Sequence, residues 1–139
     1  MKLFFDTNIL MDIVFERPIC IDEEGKILQL AFKEQLQIVV SALSFVNTIY
    51  VAKKYDKSID DVKKVLFSLS KHISVIDISG KSAVDMLSNA WNDYEDGLQY
   101  LCAMNSKSDI IITRNKKDFK LSNIPVYTPQ EFLDLIEDN

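Results

Sequence analysis

Short apolar runs separated by helical periodicity constrain this chain more than any other feature. Leu3-Phe4-Phe5, Ile38-Val39-Val40 and Ile110-Ile111-Ile112 contain no polar position, and Ile73-Ser74-Val75-Ile76-Asp77-Ile78 is a fourth strand-like segment. A strand without a polar side has to be covered on both faces, which is the situation of a strand in a parallel sheet. Between the runs, apolar residues recur at helical spacing. The 139 residues therefore read as an α/β fold, with a central, mainly parallel sheet of four or five strands between two helical layers. No linker, repeat or low-complexity segment divides the chain, so one domain over residues 1–139 is expected.

The helices can be placed in order. Residues 8–15 form a short one that ends before Arg17-Pro18. A second starts at Asp22, with Ile27, Leu28, Leu30 and Ala31 inward and Phe32 close by. Residues 41–55 form a third, whose apolar face is Leu43, Val46, Ile49, Tyr50 and the stem of Lys53. Ser58 and Asp61 open a fourth in capping-box fashion, with Val62, Val65, Leu66 and Leu69 inward. A fifth runs from Ser79 or Gly80 to about Trp91, with Ala83, Val84, Leu87 and Ala90 inward. Asn92 to Asp96 is an acidic start for the sixth, and carboxylates there suit the helix dipole. Pro125-Val126-Tyr127 is a short strand before Thr128-Pro129-Gln130-Glu131, where Thr caps, Pro takes the first position and Glu the third.

The net charge of −5 and pI near 4.8 disfavour broad electrostatic capture of nucleic acid. They leave room for a nuclease, because a bound cation inverts the local field around carboxylates. Cys20 and Cys102 match no metal-ligand spacing and read as free thiols. The only histidine, His72, has no partner, so histidine acid–base chemistry is not expected. With no secretory leader and no apolar run of membrane length, a cytoplasmic protein with no membrane contact is expected.

Asp6 ends the first strand. In a parallel sheet the strand carboxyl ends share one rim, where open α/β folds place their chemistry; Asp at that position also caps a helix well. The same rim would receive residues 113–118 and the 92–96 turn. Carboxylates crowded there repel one another unless a hard divalent ion with oxygen ligands sits among them.

The order and spacing of Asp6-Thr7-Asn8-Ile9-Leu10-Met11-Asp12, of the acidic turn followed by Gln99 and Ala103, and of Thr113-Arg114-Asn115-Lys116-Lys117-Asp118-Phe119 resemble the PIN domain family across about residues 2–135. Within it they resemble the bacterial branch that includes toxins of VapBC-type toxin–antitoxin pairs. The resemblance implies a three-layer α/β/α fold and an endoribonuclease that depends on Mg²⁺ or Mn²⁺. It implies an RNA substrate, a small antitoxin partner and a homodimer. Asp6, Asp96 and Asp118 match the catalytic metal carboxylates, with Asp93 the alternative to Asp96 and Asn115 competing with Asp118. Thr7, Asn8 and Thr113 match supporting positions. Where the family carries Glu in the helix after the second strand, this chain has Asn47, whose amide oxygen can reach a metal or water but brings no charge. Asp12 supports the site through Asn8 or a water, or pairs with Arg17. Asp109 belongs at the opposite rim. Arg114, Lys116, Lys117 and Lys107 flank the rim as RNA phosphate contacts, and Lys116-Lys117 reads equally well as a solvated loop. Two other readings stand beside this one. The first is a PIN-like RNA- or protein-binding domain with weakened or lost catalysis, favoured by Asn47 and Asn115. The second is another metal-dependent phosphoesterase or a DNA nuclease.

Overall fold

Alternation along the strands decides which helices cover which face of the sheet. The computed structural model describes residues 1–138; Asn139, the last residue of the expected domain, lies outside the described residues. The order is β1 (Lys2–Phe5), α1 (Thr7–Val14), α2 (Ile21–Phe32), β2 (Gln37–Ser41), α3 (Ala42–Lys54), α4 (Ile59–Leu69), β3 (Ser74–Ile76), α5 (Gly80–Asp85), α6 (Tyr94–Asn105), β4 (Ile110–Ile112), β5 (Val126–Tyr127) and α7 (Pro129–Glu137). Single 3₁₀ turns occupy Met86–Ser88 and Lys116–Phe119. All strand pairs are parallel, in the order β3-β2-β1-β4-β5. Leu3 lies opposite Ile38 and Ile110, and Phe4 opposite Val39 and Ile111. Leu3, Phe5, Ile38, Val40, Ile110 and Ile112 consequently share one core with residues of α1, α2, α3, α4 and α7. Phe4, Val39 and Ile111 share the other with Tyr100 and Ala103 of α6 and with Phe119.

Cap chemistry fixes the helix starts. Ser58 Oγ accepts from the Asp61 backbone N–H, and Thr128 with Glu131 forms the complete capping box expected around Pro129. Asp109 accepts from the Lys2 backbone N–H at 2.7 Å, on the amino-terminal rim as expected. Among the described residues no helix is long and apolar enough to cross a membrane, and both cysteines are unpaired.

Three helix faces differ from the sequence expectation. α3 buries Ser44, Thr48 and Ala52, whereas Val46 and Tyr50 are 63% and 65% exposed. Small side chains at four-residue spacing let α3 approach α1 closely, and Thr48 returns its hydroxyl to the Ser44 carbonyl at 2.7 Å. On α4, Val62, Leu66 and Leu69 point inward but Val65 is partly exposed. α5 ends at Asp85 rather than near Trp91, leaving Val84 and Leu87 outside. Met86 turns inward at that point and fills the space beside Gly97, where any Cβ would collide with its sulfur.

On α2, Glu24 is fully buried, in register with Ile27 and Ala31. It lies beside the buried Asp12 carboxylate, to which its protonated form is a hydrogen-bond donor, and near the Arg114 guanidinium. Burial first, then Asp12, pushes Glu24 well above the carboxylate range, so the folded chain holds a proton there that the unfolded chain releases. Stability from this group is complete below the ordinary Glu pKa and is lost as pH rises toward the raised one. Glu24→Gln, which mimics the protonated acid, should flatten the fall in Tm between pH 6 and 9 and raise Tm at pH 9. Thermal melts across that range check it, and parallel wild-type and variant curves would refute it.

Candidate metal centre

The strand order turns at β1, with β2 and β3 on one side and β4 and β5 on the other. The carboxyl ends of β1 and β4 flank the crevice where the crossovers diverge, the usual place for a ligand in an open α/β sheet. Asp6 follows β1 there and Thr113 follows β4. The Thr113 hydroxyl donates to Asp6 Oδ2 at 2.9 Å, and the Asp6 backbone N–H donates to the Ile112 carbonyl at 3.1 Å. Asp6 stands at the cap position of α1, but its side chain makes no capping hydrogen bond. Its carboxylate, only 4% exposed, is directed at the rim instead.

A buried polar cluster beside Asp6 joins three helices. Thr7 Oγ1 and Ser44 Oγ are 2.7 Å apart, Gln99 Nε2 donates to Thr7 Oγ1 at 3.1 Å, and Ser41 Oγ donates to Gln99 Oε1 at 3.2 Å. Satisfied polar networks in a low-dielectric interior hold their members in one arrangement. This one fixes α1, the start of α3 and α6 relative to one another.

A recess of about 480 Å³ opens at this rim. Asp6, Asp93, Glu95, Asp96 and Asp118 line it together with Thr7, Asn8 and Asn47, and no Lys, Arg or His does. Burial pushes Asp6 up to about 6; the Thr113 hydroxyl and the Thr7 backbone oppose this, while Asp118 and Glu95 add to it. Burial, followed by the charges of Asp93, Asp6, Asp118 and Glu95, raises Asp96 to about 7. Glu95 is raised by burial and Asp93 against the pull of Asn47. These carboxylates discourage one another's ionisation, and every polar donor atom around them is oxygen or amide. That donor set suits a hard dication such as Mg²⁺ or Mn²⁺. Among the described residues no three Asp, Glu, His or Cys side chains already converge as a ligand group. The fold brings the carboxylates to one recess, and the side-chain rotations that would close on an ion belong to Glu95, Asp96 and Asp118, which are less buried than Asp6.

Several predicted residues fall elsewhere. Asn115 is exposed, does not line the recess, and donates its backbone N–H to Thr113 Oγ1 at 3.1 Å; Asp118, one turn of 3₁₀ helix further on, reaches the recess in its place. Asp93 does line the recess, and it also caps α6 by accepting from the Asp96 backbone N–H at 2.9 Å. Asp12 is fully buried away from the recess, where it accepts from Arg114 Nε at 2.6 Å and pairs with Arg17 at 3.5 Å. Arg114 is thereby committed to the interior rather than presented at the rim. Lys116 pairs with Glu131 at 3.2 Å, while Lys117 borders a cleft of about 130 Å³ beside Asp96 and Asp118. Lys107 lies on the opposite rim, in an opening of about 670 Å³ shared with Lys2 and Asp109, because α6 carries the chain back to the amino-terminal ends before β4.

Sequence reasoning passed over Glu95, Gln99 as a structural link, and Lys120, which borders the same cleft as Lys117. Asn47 was read as an oxygen donor, but its Nδ2 donates to Glu95 Oε1 at 2.6 Å. A carboxylate has no proton to offer, so the amide must turn its NH₂ toward it. The signal for Glu95 was an amide occupying a position where an acidic residue was expected.

The sequence matches the PIN domain family over residues 2–117. No curated protein sequence matches it. Among solved structures, a toxin–antitoxin complex from Klebsiella pneumoniae contains a chain 28% identical, with 91% of this chain and 97% of that chain covered and a TM-score of 0.64. A VapBC2 structure from Rickettsia felis, bound to a DNA fragment from their promoter, is 19% identical over 92% of this chain and 98% of that one, with a TM-score of 0.68. The sarcin–ricin-loop-cleaving toxin VapC20 of Mycobacterium tuberculosis is 10% identical over 78% and 86%, with a TM-score of 0.60. At these identities the last two show the fold alone.

Proposed function

We propose, from the premise that this chain belongs to the PIN domain family, that it is a metal-dependent endoribonuclease and the toxin of a toxin–antitoxin pair. The observation that carries the reading is the recess at the β1–β4 crevice, lined by five carboxylates and no cationic side chain. Asp6, Asp96 and Asp118 would hold Mg²⁺ or Mn²⁺, with Thr113 fixing the orientation of Asp6. A bound ion of that kind supplies Lewis acidity and charge neutralisation toward a phosphodiester. The chain's own part is placement. The hydrogen-bonded cluster of Thr7, Ser41, Ser44 and Gln99 keeps α1 and α6 at fixed spacing, so that carboxylates from separate elements face one recess. Lys117 and Lys120, in the adjoining cleft, are the cations best placed to meet flanking phosphates.

The expected result is cleavage of short single-stranded oligoribonucleotides in the presence of Mn²⁺, abolished by EDTA, with no turnover of a phosphomonoester. Phosphomonoester turnover, or cleavage of DNA without RNA, would establish the rival enzyme class. An inert scaffold would show no specific Mn²⁺ binding.

An antitoxin partner is part of the same proposal. Phe45, Val46, Ile49, Leu66 and Phe67 line an apolar groove of about 500 Å³ between α3 and α4. With Val46 and Phe67 more than 60% exposed, this is a surface that a partner segment would cover. A second copy of the chain is the other expected partner.

A further inference from the structure

We infer that Glu95, held in place by Asn47, is an additional ligand-forming carboxylate of the site and supplies from α6 the charge that α3 lacks. This rests on the metal-centre reading above. Three observations support it. Asn47 stands on α3, where with Tyr50 and Val51 it lines the recess, and an amide there brings no charge. Its Nδ2 lies 2.6 Å from Glu95 Oε1, a link between residues 48 apart in sequence. A charge-assisted hydrogen bond of that length fixes the orientation of an otherwise exposed side chain. Glu95, Asp6, Asp96 and Asp118 all line the same recess.

Glu95 has no structural duty that would otherwise account for its place. The first turn of α6 is already capped by Asp93, no Lys, Arg or His lines the recess beside Glu95, and Glu95 takes part in neither buried core. Pointing it outward would relieve repulsion with Asp93, yet the Asn47 amide draws it toward the other carboxylates. Asn47 is on this view a positioning residue, acting through Glu95, whereas Glu95 would touch the ion.

The test is Mn²⁺ titration of the full-length protein at pH 7.5, read by the electron paramagnetic resonance signal of free Mn²⁺. Glu95→Gln keeps the size and the hydrogen-bonding reach of the side chain, and should weaken Mn²⁺ binding about tenfold or more. Asn47→Ala should weaken it less, and in the Glu95→Gln background should add nothing, because its effect passes through Glu95. Asp6→Asn is the reference variant. Wild-type affinity in Glu95→Gln alongside loss of binding in Asp6→Asn would overturn the role of Glu95 and leave the metal centre standing. Unchanged binding in both would overturn the metal centre itself. Additive losses from Asn47→Ala and Glu95→Gln would make Asn47 a ligand in its own right and overturn its positioning role.

Discussion

Asp6→Asn should abolish metal-dependent RNA cleavage and at the same time make the metal-free protein more stable. Removing a group that only orients a metal ligand costs about 10–100-fold, so loss of the most buried ligand should lower kcat/KM by roughly 100-fold or more. The stability effect has the opposite sign for a definite reason. Burial raises the Asp6 carboxyl to about 6, so the folded chain resists its ionisation more than the unfolded chain does. Stability from Asp6 is present below the ordinary Asp pKa and is lost as pH rises through about 6. Asparagine carries no charge, and its Oδ1 still accepts from Thr113. Above pH 7, in EDTA, the variant should gain roughly 1–3 kcal/mol at about 1.4 kcal/mol per pKa unit. Denaturant melts with and without Mn²⁺ check this, and a fall in stability in EDTA would show that Asp6 is a structural carboxylate. Added Mn²⁺ should raise the Tm of the wild type and leave that of the variant unmoved.

Arg114→Leu should be the more damaging change to the fold, although Arg114 was expected at the RNA-binding rim. Its guanidinium makes two hydrogen bonds to Asp12, at 2.6 and 3.2 Å, and Asp12 is wholly buried. Removing one member of a buried ion pair leaves the other uncompensated and costs about 3–5 kcal/mol. Arg17, at 3.5 Å, compensates only in part, and Glu24, held protonated, offers Asp12 no positive charge. In a chain of this size the loss corresponds to a Tm lower by roughly 10 °C. Lys117→Ala removes a side chain that lies in the open, and should leave Tm within about 1 °C while weakening RNA binding in a salt-dependent way. If Arg114→Leu instead left Tm unchanged and weakened RNA binding, the interior role of Arg114 would be wrong.

The parts legible in the sequence are those that topology dictates. Ile38-Val39-Val40 and Ile110-Ile111-Ile112 have no polar position, and a strand of that kind has only the interior of a covered sheet to occupy. Once the sheet is parallel, residues just after β1 and β4 must meet at one rim, which is why Asp6, Thr113 and Asp118 come together. The errors share a cause: each depended on a contact between elements rather than on periodicity within one. Counting apolar residues puts Val46 and Tyr50 inside α3, but the cluster built on Gln99 takes the Ser44 hydroxyl, and Thr48, one turn on, faces inward with it and bonds the Ser44 carbonyl. Lys107 lies on the opposite rim because α6 returns the chain to the amino-terminal ends of the strands, a direction that periodicity within the helix does not carry. Glu95 is hidden in the sequence because what orients it is Asn47, on a helix 48 residues away.

The strand order has a consequence for how the chain is made. β1 is made before the other four strands of its sheet and becomes the central one, but its second edge stays open until β4, more than a hundred residues later, is inserted beside it. Asp6 acquires the Thr113 hydroxyl only at that moment, and Asp118 follows. Until the chain has been synthesised beyond this segment, the recess lacks the wall that Asp118 provides. The chemistry proposed here is therefore withheld from the nascent polypeptide until the segment after β4 has been made, by topology alone and before any partner protein is needed.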